Sequence, residues 1–119
     1  MANPNIVNVA TINGKTDTFA LTTTSANLVT ATANTVFKIN SIMIANIDGT
    51  NAADVSIKFF DGSNTRSIAS TISVPADASL SLIDKNSGFY LEESDNIEAG
   101  ASANSDLTIT ISYEEIDDA

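Results

Sequence analysis

The sequence predicts an all-β fold, an antiparallel β-sandwich or jelly-roll-like single domain of eight to ten short strands. The first observation is composition: the 119 residues include 14 Ile and 14 Thr, whose β-branched side chains suit a pleated sheet. Fourteen Ser and 13 Asn favour turns, whereas 5 Glu and 4 Lys leave few good helix formers. The second observation is a series of short alternating runs separated by turn signals, a spacing typical of sandwiches and jelly rolls.

The clearest predicted strand covers residues 106–114. Its apolar members, Leu107, Ile109, Ile111 and Tyr113, alternate with Thr, Ser and Glu side chains. A period of two over nine residues is typical of a strand with one buried face and one solvated face.

Two further strands raise the question of outward-facing apolar residues. Phe59 and Phe60 are adjacent, so if Phe59 faces the core, Phe60 points outside, where it either packs under a loop or anchors a partner chain. The long strand 36–47 changes its apolar face near Ser41-Ile42, which predicts a β-bulge or bend. Ile42 and Ile44 then fall on the second face of that strand, where, like Phe60, they either pack under a loop or anchor a partner chain.

Turn signals set the boundaries between strands. Asn13-Gly14 predicts a hairpin, Val74-Pro75-Ala76-Asp77 predicts a turn with preset φ, and other turns contain Gly49, Gly62, Gly88 and Gly100. The only helix candidate is a single turn at residues 48–53. The predicted strands are 6–12, 16–22, 27–32, 36–47, 54–61, 66–74, 79–83, 89–92, 96–101 and 106–114.

The two ends differ from the middle of the chain. Residues 1–5 are polar and contain Pro4, which predicts a flexible arm before a sandwich domain at 6–116. The run 114–119 carries four carboxylates and is expected to be solvated, with 117–119 as an acidic tail. The start lacks the basic and apolar regions of a secretory signal, and no window approaches the roughly 20 apolar residues of a membrane span.

Charge and residue usage exclude several function classes. Five basic and 15 acidic side chains give a net charge of −10, which disfavours contacts with nucleic-acid phosphates. The sequence has no Cys and no His, so it lacks thiolate chemistry and the commonest general base. The four lysines are the remaining candidate bases, and their polar strand and turn contexts favour ordinary surface positions. We therefore expect no enzyme activity, no cofactor and no resident metal.

One acidic segment is a weak candidate for Ca²⁺. Glu92, Glu93 and Asp95, with Glu98, offer the oxygen ligands that Ca²⁺ prefers. The segment lacks the spaced Asp/Asn, Gly and Glu of a specific calcium loop. A solvated turn between two strands is the favoured interpretation, and a glycosidase carboxylate pair is the least favoured one.

Three segments carry a resemblance to a known family. They run from Ala45 to Val55, from Ile68 to Ala78, and, in pieces, from Tyr90 to Ile116. Together they resemble a family of small virion structural proteins of tailed bacteriophages, especially those infecting marine cyanobacteria. The resemblance covers roughly residues 36–116 and implies a virion component made in the host bacterial cytoplasm.

That resemblance sets the functional expectations. The first is a capsid decoration subunit that binds the major capsid protein or other virion proteins and forms a dimer or trimer. The expected interface residues are Ile6, Val7 and Val9 on the arm, which could add a strand to a neighbour's edge, and Phe60. The alternatives are a tail or neck accessory protein and, in a different class, a carbohydrate- or host-surface-binding module. No nucleic acid or membrane partner is expected.

Overall fold

A computed structural model describes residues 11–84 and 86–117, which form nine β-strands. The strands are β1 (Thr11–Ala20), β2 (Ala26–Thr30), β3 (Thr35–Asn46), β4 (Ala53–Phe60), β5 (Thr65–Val74), β6 (Ser79–Ile83), β7 (Phe89–Leu91), β8 (Asn96–Ala101) and β9 (Leu107–Asp117). No helix occurs in these ranges. From residue 27 onward, the predicted strands match the observed ones to within two residues, apart from the end of the last.

The strands form two antiparallel sheets. Sheet I has the order β1-β9-β3-β6, with β7 also paired to β3, and sheet II has the order β2-β8-β4-β5. The chain passes back and forth between the sheets, so most pairings join strands that are far apart in sequence. The predicted all-β, jelly-roll-like sandwich is confirmed.

Buried side chains alternate with half-buried ones along the strands, and the buried ones form a core between the two sheets. Ile109 and Ile111 of β9 and Val55 and Ile57 of β4 are fully buried and belong to one apolar cluster contributed by both sheets. Thr110, between two buried neighbours on β9, is only half-buried. The predicted inward face of β9 is therefore confirmed, and Val55 and Ile57 give β4 an inward face of the same kind.

The predicted bulge in β3 is also confirmed. Between Ile39 and Ser41 the pairing with β9 shifts register, because β9 advances by one residue while β3 advances by two and leaves Asn40 as the extra residue. Since an extra residue re-aims every side chain after it, Ile39, Ile42 and Ile44 are all fully buried. The suggestion that Ile42 and Ile44 face outward is wrong.

The predicted hairpin at Asn13-Gly14 is wrong. Strand β1 runs straight through these residues and pairs without interruption from Thr11 to Ala20 with β9. Gly14 lacks the positive φ that a tight hairpin turn requires. The eleven-residue β9 offers a continuous partner, and this long-range pairing overrides the local turn preference. One strand at 11–20 therefore replaces the predicted strands 6–12 and 16–22, and residues 6–10 lie outside the described part.

The one-turn helix predicted at 48–53 is also wrong. Asp48 Oδ1 accepts hydrogen bonds from the backbone N–H groups of Thr50 (2.8 Å) and Asn51 (3.3 Å), and buried Asn46 accepts one from the N–H of Asp48 (2.9 Å). These side chains satisfy the donors locally and hold a turn instead of a helix.

The last strand is longer than predicted. β9 continues past residue 114 to Asp117, with Ile116 in register with Val36 of β3. Ile116 and Val36 are each 4% exposed and lie outside the main core cluster. The expected solvation of 114–119 is therefore wrong for Ile116, and residues 118 and 119 lie outside the described part.

The bulge generates a test with a matched pair of neighbours on β3. Ile44→Ala is expected to lower the free energy of unfolding by about 2–5 kcal/mol, because it leaves a cavity in the core. Met43→Ala should change that free energy by less than about 1 kcal/mol, since Met43 is 46% exposed. Urea unfolding monitored by circular dichroism measures both. Equal losses for the two variants would contradict the assigned facing of β3.

Candidate interaction surfaces

The acidic segment between β7 and β8 forms a turn. The N–H of Asp95 donates to the carbonyl of Glu92 (2.9 Å), and Ser94 adopts a positive φ of 75°. The turn is tied to the loop after β2, because the N–H of Ser94 donates to the carbonyl of Ala31 (2.9 Å). Within residues 11–84 and 86–117, no three carboxylates lie where they could hold a metal ion. The turn interpretation of this segment is confirmed.

The turn is not fully solvated, because Asp95 is only 1% exposed. Its Oδ2 accepts a hydrogen bond from the N–H of Glu92 (3.0 Å), whereas its Oδ1 is buried without a hydrogen-bond partner among the described residues. Burial raises the pKa of the Asp95 carboxyl, and the nearby charges of Glu92 and Asp61 raise it further. A carboxylate held in this way weakens the native state at neutral pH.

The predicted interface residues divide into two groups. Ile6, Val7 and Val9 lie outside the described residues. Phe60 is the last residue of β4, is half-buried, and stands in register with Thr65 of β5. Its neighbour Phe59 packs against the core cluster, so the two rings lie on opposite faces of sheet II as predicted.

An apolar groove opens beside Phe59, on the side of the sandwich where β5 faces β7. Its volume is about 380 Å³. The rings of Phe59 and Phe89 meet edge to face, with centroids 5.8 Å apart and planes at 83°. We call it the aromatic groove; its lining residues are Phe59, Arg66, Ser67, Ile68, Ile83, Phe89 and Tyr90. It was not predicted, because it joins residues from four strands of both sheets.

A second, polar hollow lies on the outer face of sheet II. The segment after β1 crosses this face at Gly100, where an added Cβ would stand 3.2 Å from the Cα of Ser25. The hollow holds about 220 Å³ and includes Asp54 and Lys58, with Ser and Thr side chains but no aromatic ring. Sugar sites commonly offer a flat ring to the apolar face of the sugar, and this hollow lacks one.

Among residues 11–84 and 86–117, four large apolar side chains are exposed that were not singled out from the sequence. They are Ile12 (55%), Met43 (46%), Ile47 (65%) and Tyr90 (43%). The exposure of Met43 and Tyr90 could be predicted only once the β3 bulge and the β7 pairing are known, because these decide which face of the sheet each residue lies on. They lie on different strands or loops, and isolated exposed apolar residues are normal on protein surfaces.

No helix long and apolar enough to cross a membrane is found in the described part of the chain. No protein-family model matches the sequence, and no curated protein matches it either.

The fold is similar to two solved structures over nearly its whole length. One is a chain of the acid-stable capsid of the Helicobacter pylori bacteriophage KHP30, with a TM-score of 0.54 and 9% identity over 93% of this chain and 91% of that one. The other is a chain of the Bacillus endospore appendages, which form a family of disulfide-linked pili, with a TM-score of 0.53 and 14% identity over 92% of this chain and 88% of that one. At these identities, the similarity establishes the fold alone.

The burial of Asp95 predicts a particular pH dependence. Because its folded pKa lies above the usual value of 3.8, the native protein binds more protons than the unfolded chain between those two values. The contribution of Asp95 to stability therefore falls as the pH rises through this window. Asp95→Asn removes the charge, so its stability relative to the unmodified protein should be higher at pH 7 than at pH 4. Urea unfolding at both pH values measures this difference, and a difference that is the same at both would contradict it.

Proposed function

We propose that the protein is a bacteriophage virion structural protein, a decoration subunit that binds the outer capsid shell. The single observation that carries this proposal is the full-length similarity in fold to a capsid chain. Because the match covers 93% of one chain and 91% of the other, the two chains are of nearly equal length. A β-sandwich of this kind suits an accessory subunit that is added to a shell built from other proteins.

The proposed mechanism is passive and needs no chemistry at the protein surface. Burying apolar area contributes about 25 cal/mol per Å² of area removed from water, so each contact adds modestly. Many equivalent sites on one particle multiply that contribution. The proposed contacts are Phe60 and the arm residues Ile6, Val7 and Val9, and the proposed partner is the major capsid protein or another virion protein.

The net charge of the protein acts differently before assembly and during assembly. A net charge of −10 opposes non-specific association of the protein after its synthesis in the host bacterial cytoplasm. Assembly into the virion then depends on local contacts that overcome this repulsion. The absence of His and Cys from the sequence supports a non-enzymatic role.

A second candidate is a tail, neck or fibre subunit, favoured by the similarity to the Bacillus appendage chain. Those appendages are disulfide-linked pili, whereas this sequence has no Cys. A fibre of this protein would therefore need non-covalent contacts. The carbohydrate-binding alternative is less favoured, because the aromatic groove and the polar hollow share no lining residue, so the rings of the groove lie apart from the polar side chains of the hollow.

Co-sedimentation with particles that lack the protein tests the capsid proposal. The purified protein is expected to pellet with such particles and to saturate at a fixed number of copies. Phe60→Asp should weaken binding at least tenfold, because it places a charge in a proposed apolar contact. Met43→Asp is the matched control on the other sheet and should bind normally.

Protein that stays in the supernatant at saturating concentration would contradict the capsid proposal. Normal binding by the Phe60 variant would instead remove Phe60 from the interface. Immunogold labelling of intact particles distinguishes capsid from tail, and labelling confined to the tail would favour the second candidate.

A further inference from the structure

Strand β1 is an exposed edge. Eight of its ten residues are exposed, and only Asp17 and Phe19 are half-buried. Among the described strands, β1 pairs with β9 alone, so its second edge presents a row of backbone donors and acceptors to the surroundings.

The other sheet edges carry the features that normally prevent pairing with another chain. β2 has five residues and a register shift, and β6 and β7 have five and three residues. β5 is interrupted by two register shifts and by Thr71, whose φ is +52°. Of the edge strands in the described part of the chain, only β1 combines ten residues, an unbroken register and no proline. Short or bulged edges resist strand addition, whereas a long regular edge invites it.

We propose that β1 pairs with β1 of a second copy, antiparallel, around a two-fold axis at Thr16. In this register Lys15 stands opposite Asp17 of the second copy, and Asp17 stands opposite its Lys15. Directly opposite residues in an antiparallel pair share one face, so each Lys and Asp lie side by side. The overlap covers the whole strand, with Thr11 opposite Leu21 of the second copy.

The charges of Lys15 and Asp17 favour this register over the registers shifted by one residue in either direction. A two-fold axis one residue earlier, at Lys15, would place the two copies of Lys15 opposite each other. An axis one residue later, at Asp17, would place the two copies of Asp17 opposite each other. Like charges directly opposite destabilise a sheet. β1 itself carries one Lys and one Asp, so it is a neutral strip on a chain of net charge −10. The strand itself therefore adds no net charge to the repulsion between two copies that meet at this edge.

The existing contacts of the two charged residues are compatible with this pairing. Lys15 Nζ lies 3.3 Å from Glu115 Oε2, and its side chain is 45% exposed. The Tyr113 hydroxyl donates to Asp17 Oδ2 at 2.7 Å. Both contacts run toward β9 in the same copy, and an ammonium with three donors and a carboxylate with about four acceptor sites can serve two partners.

The inference gives an interface to the dimer expected from the sequence, and it does not depend on capsid binding. Two copies joined in this way form one continuous sheet, β6-β3-β9-β1 followed by its two-fold mate. An isologous contact of this kind closes on itself and yields a dimer instead of a filament. Its test uses only the purified protein, so its failure and the failure of capsid binding are separate results.

Cysteine crosslinking tests the register directly, because the chain has no Cys of its own. Residues at the axis have Cα atoms about 4.5–5.5 Å apart, within disulfide range. Thr16→Cys is expected to form a disulfide-linked dimer under mild oxidation. Asn13→Cys is the matched control on the same exposed strand; it would lie about 20 Å from its counterpart at about 3.4 Å per residue, and should crosslink at least tenfold more slowly.

A charge swap provides the second measurement, by sedimentation equilibrium of the full chain. Lys15→Asp should weaken the dimer at least tenfold, because Asp17 of each copy would then face an aspartate of the other copy instead of a lysine. Lys15→Asp combined with Asp17→Lys should restore the dimer, because opposite charges face each other again. Circular dichroism verifies that each variant is folded.

Three results would overturn the proposal. The first is a protein that remains monomeric and gives no Thr16→Cys crosslink at the highest concentration reached. The second is a dimer in which Asn13→Cys crosslinks as fast as Thr16→Cys. The third is a dimer that the charge swap fails to restore, which would point to another edge or to the arm of a second copy.

Discussion

The pairing of strand β9 with two partners is the constraint on which the rest of the fold depends. β9 pairs along ten residues with β1 and from Leu107 to Asp117 with β3. Its inward side chains, including Ile109 and Ile111, lie at the centre of the core. Because side chains alternate strictly along a strand, a register error of one residue in β9 would turn its whole apolar face to solvent.

Alternation explains how much of the fold the sequence predicts. β9 was predictable because it combines a period-two pattern with a turn signal before it, and turn signals set the bounds of the shorter strands after residue 27. The β3 bulge was predictable for the same reason, since Ile39, Ile42 and Ile44 do not fit a single period of two. The local hydrophobic pattern is sufficient to predict a strand wherever one face is buried and the other is exposed to solvent.

The failures have a common physical cause. At Asn13-Gly14 and at Asp48, local preferences competed with contacts that one segment of sequence does not contain. The long partner β9 overrode the hairpin, and the buried Asn46 helped to hold a turn where a helical turn was expected. The burial of Asp95 escaped prediction in the same way, because Ala31 in the loop after β2, which bonds to this turn, lies far from it in sequence.

The candidate interaction surfaces were less predictable than the fold. Phe60 was found by its position next to Phe59, but the aromatic groove joins strands from both sheets and has no contiguous signature. The edge of β1 that no described strand covers was identified only once its neighbours were known. Surfaces of this kind depend on which strands are adjacent, and adjacency in a sandwich is set by long-range pairing.

The central proposal is that this protein acts by binding to its neighbours in an assembled particle, and a cryo-EM map of the proposed phage particle tests it most directly. The account predicts density for this two-sheet domain at repeated positions on the outer capsid surface, in contact with the shell protein. A map in which the domain is absent from the particle would contradict the claim.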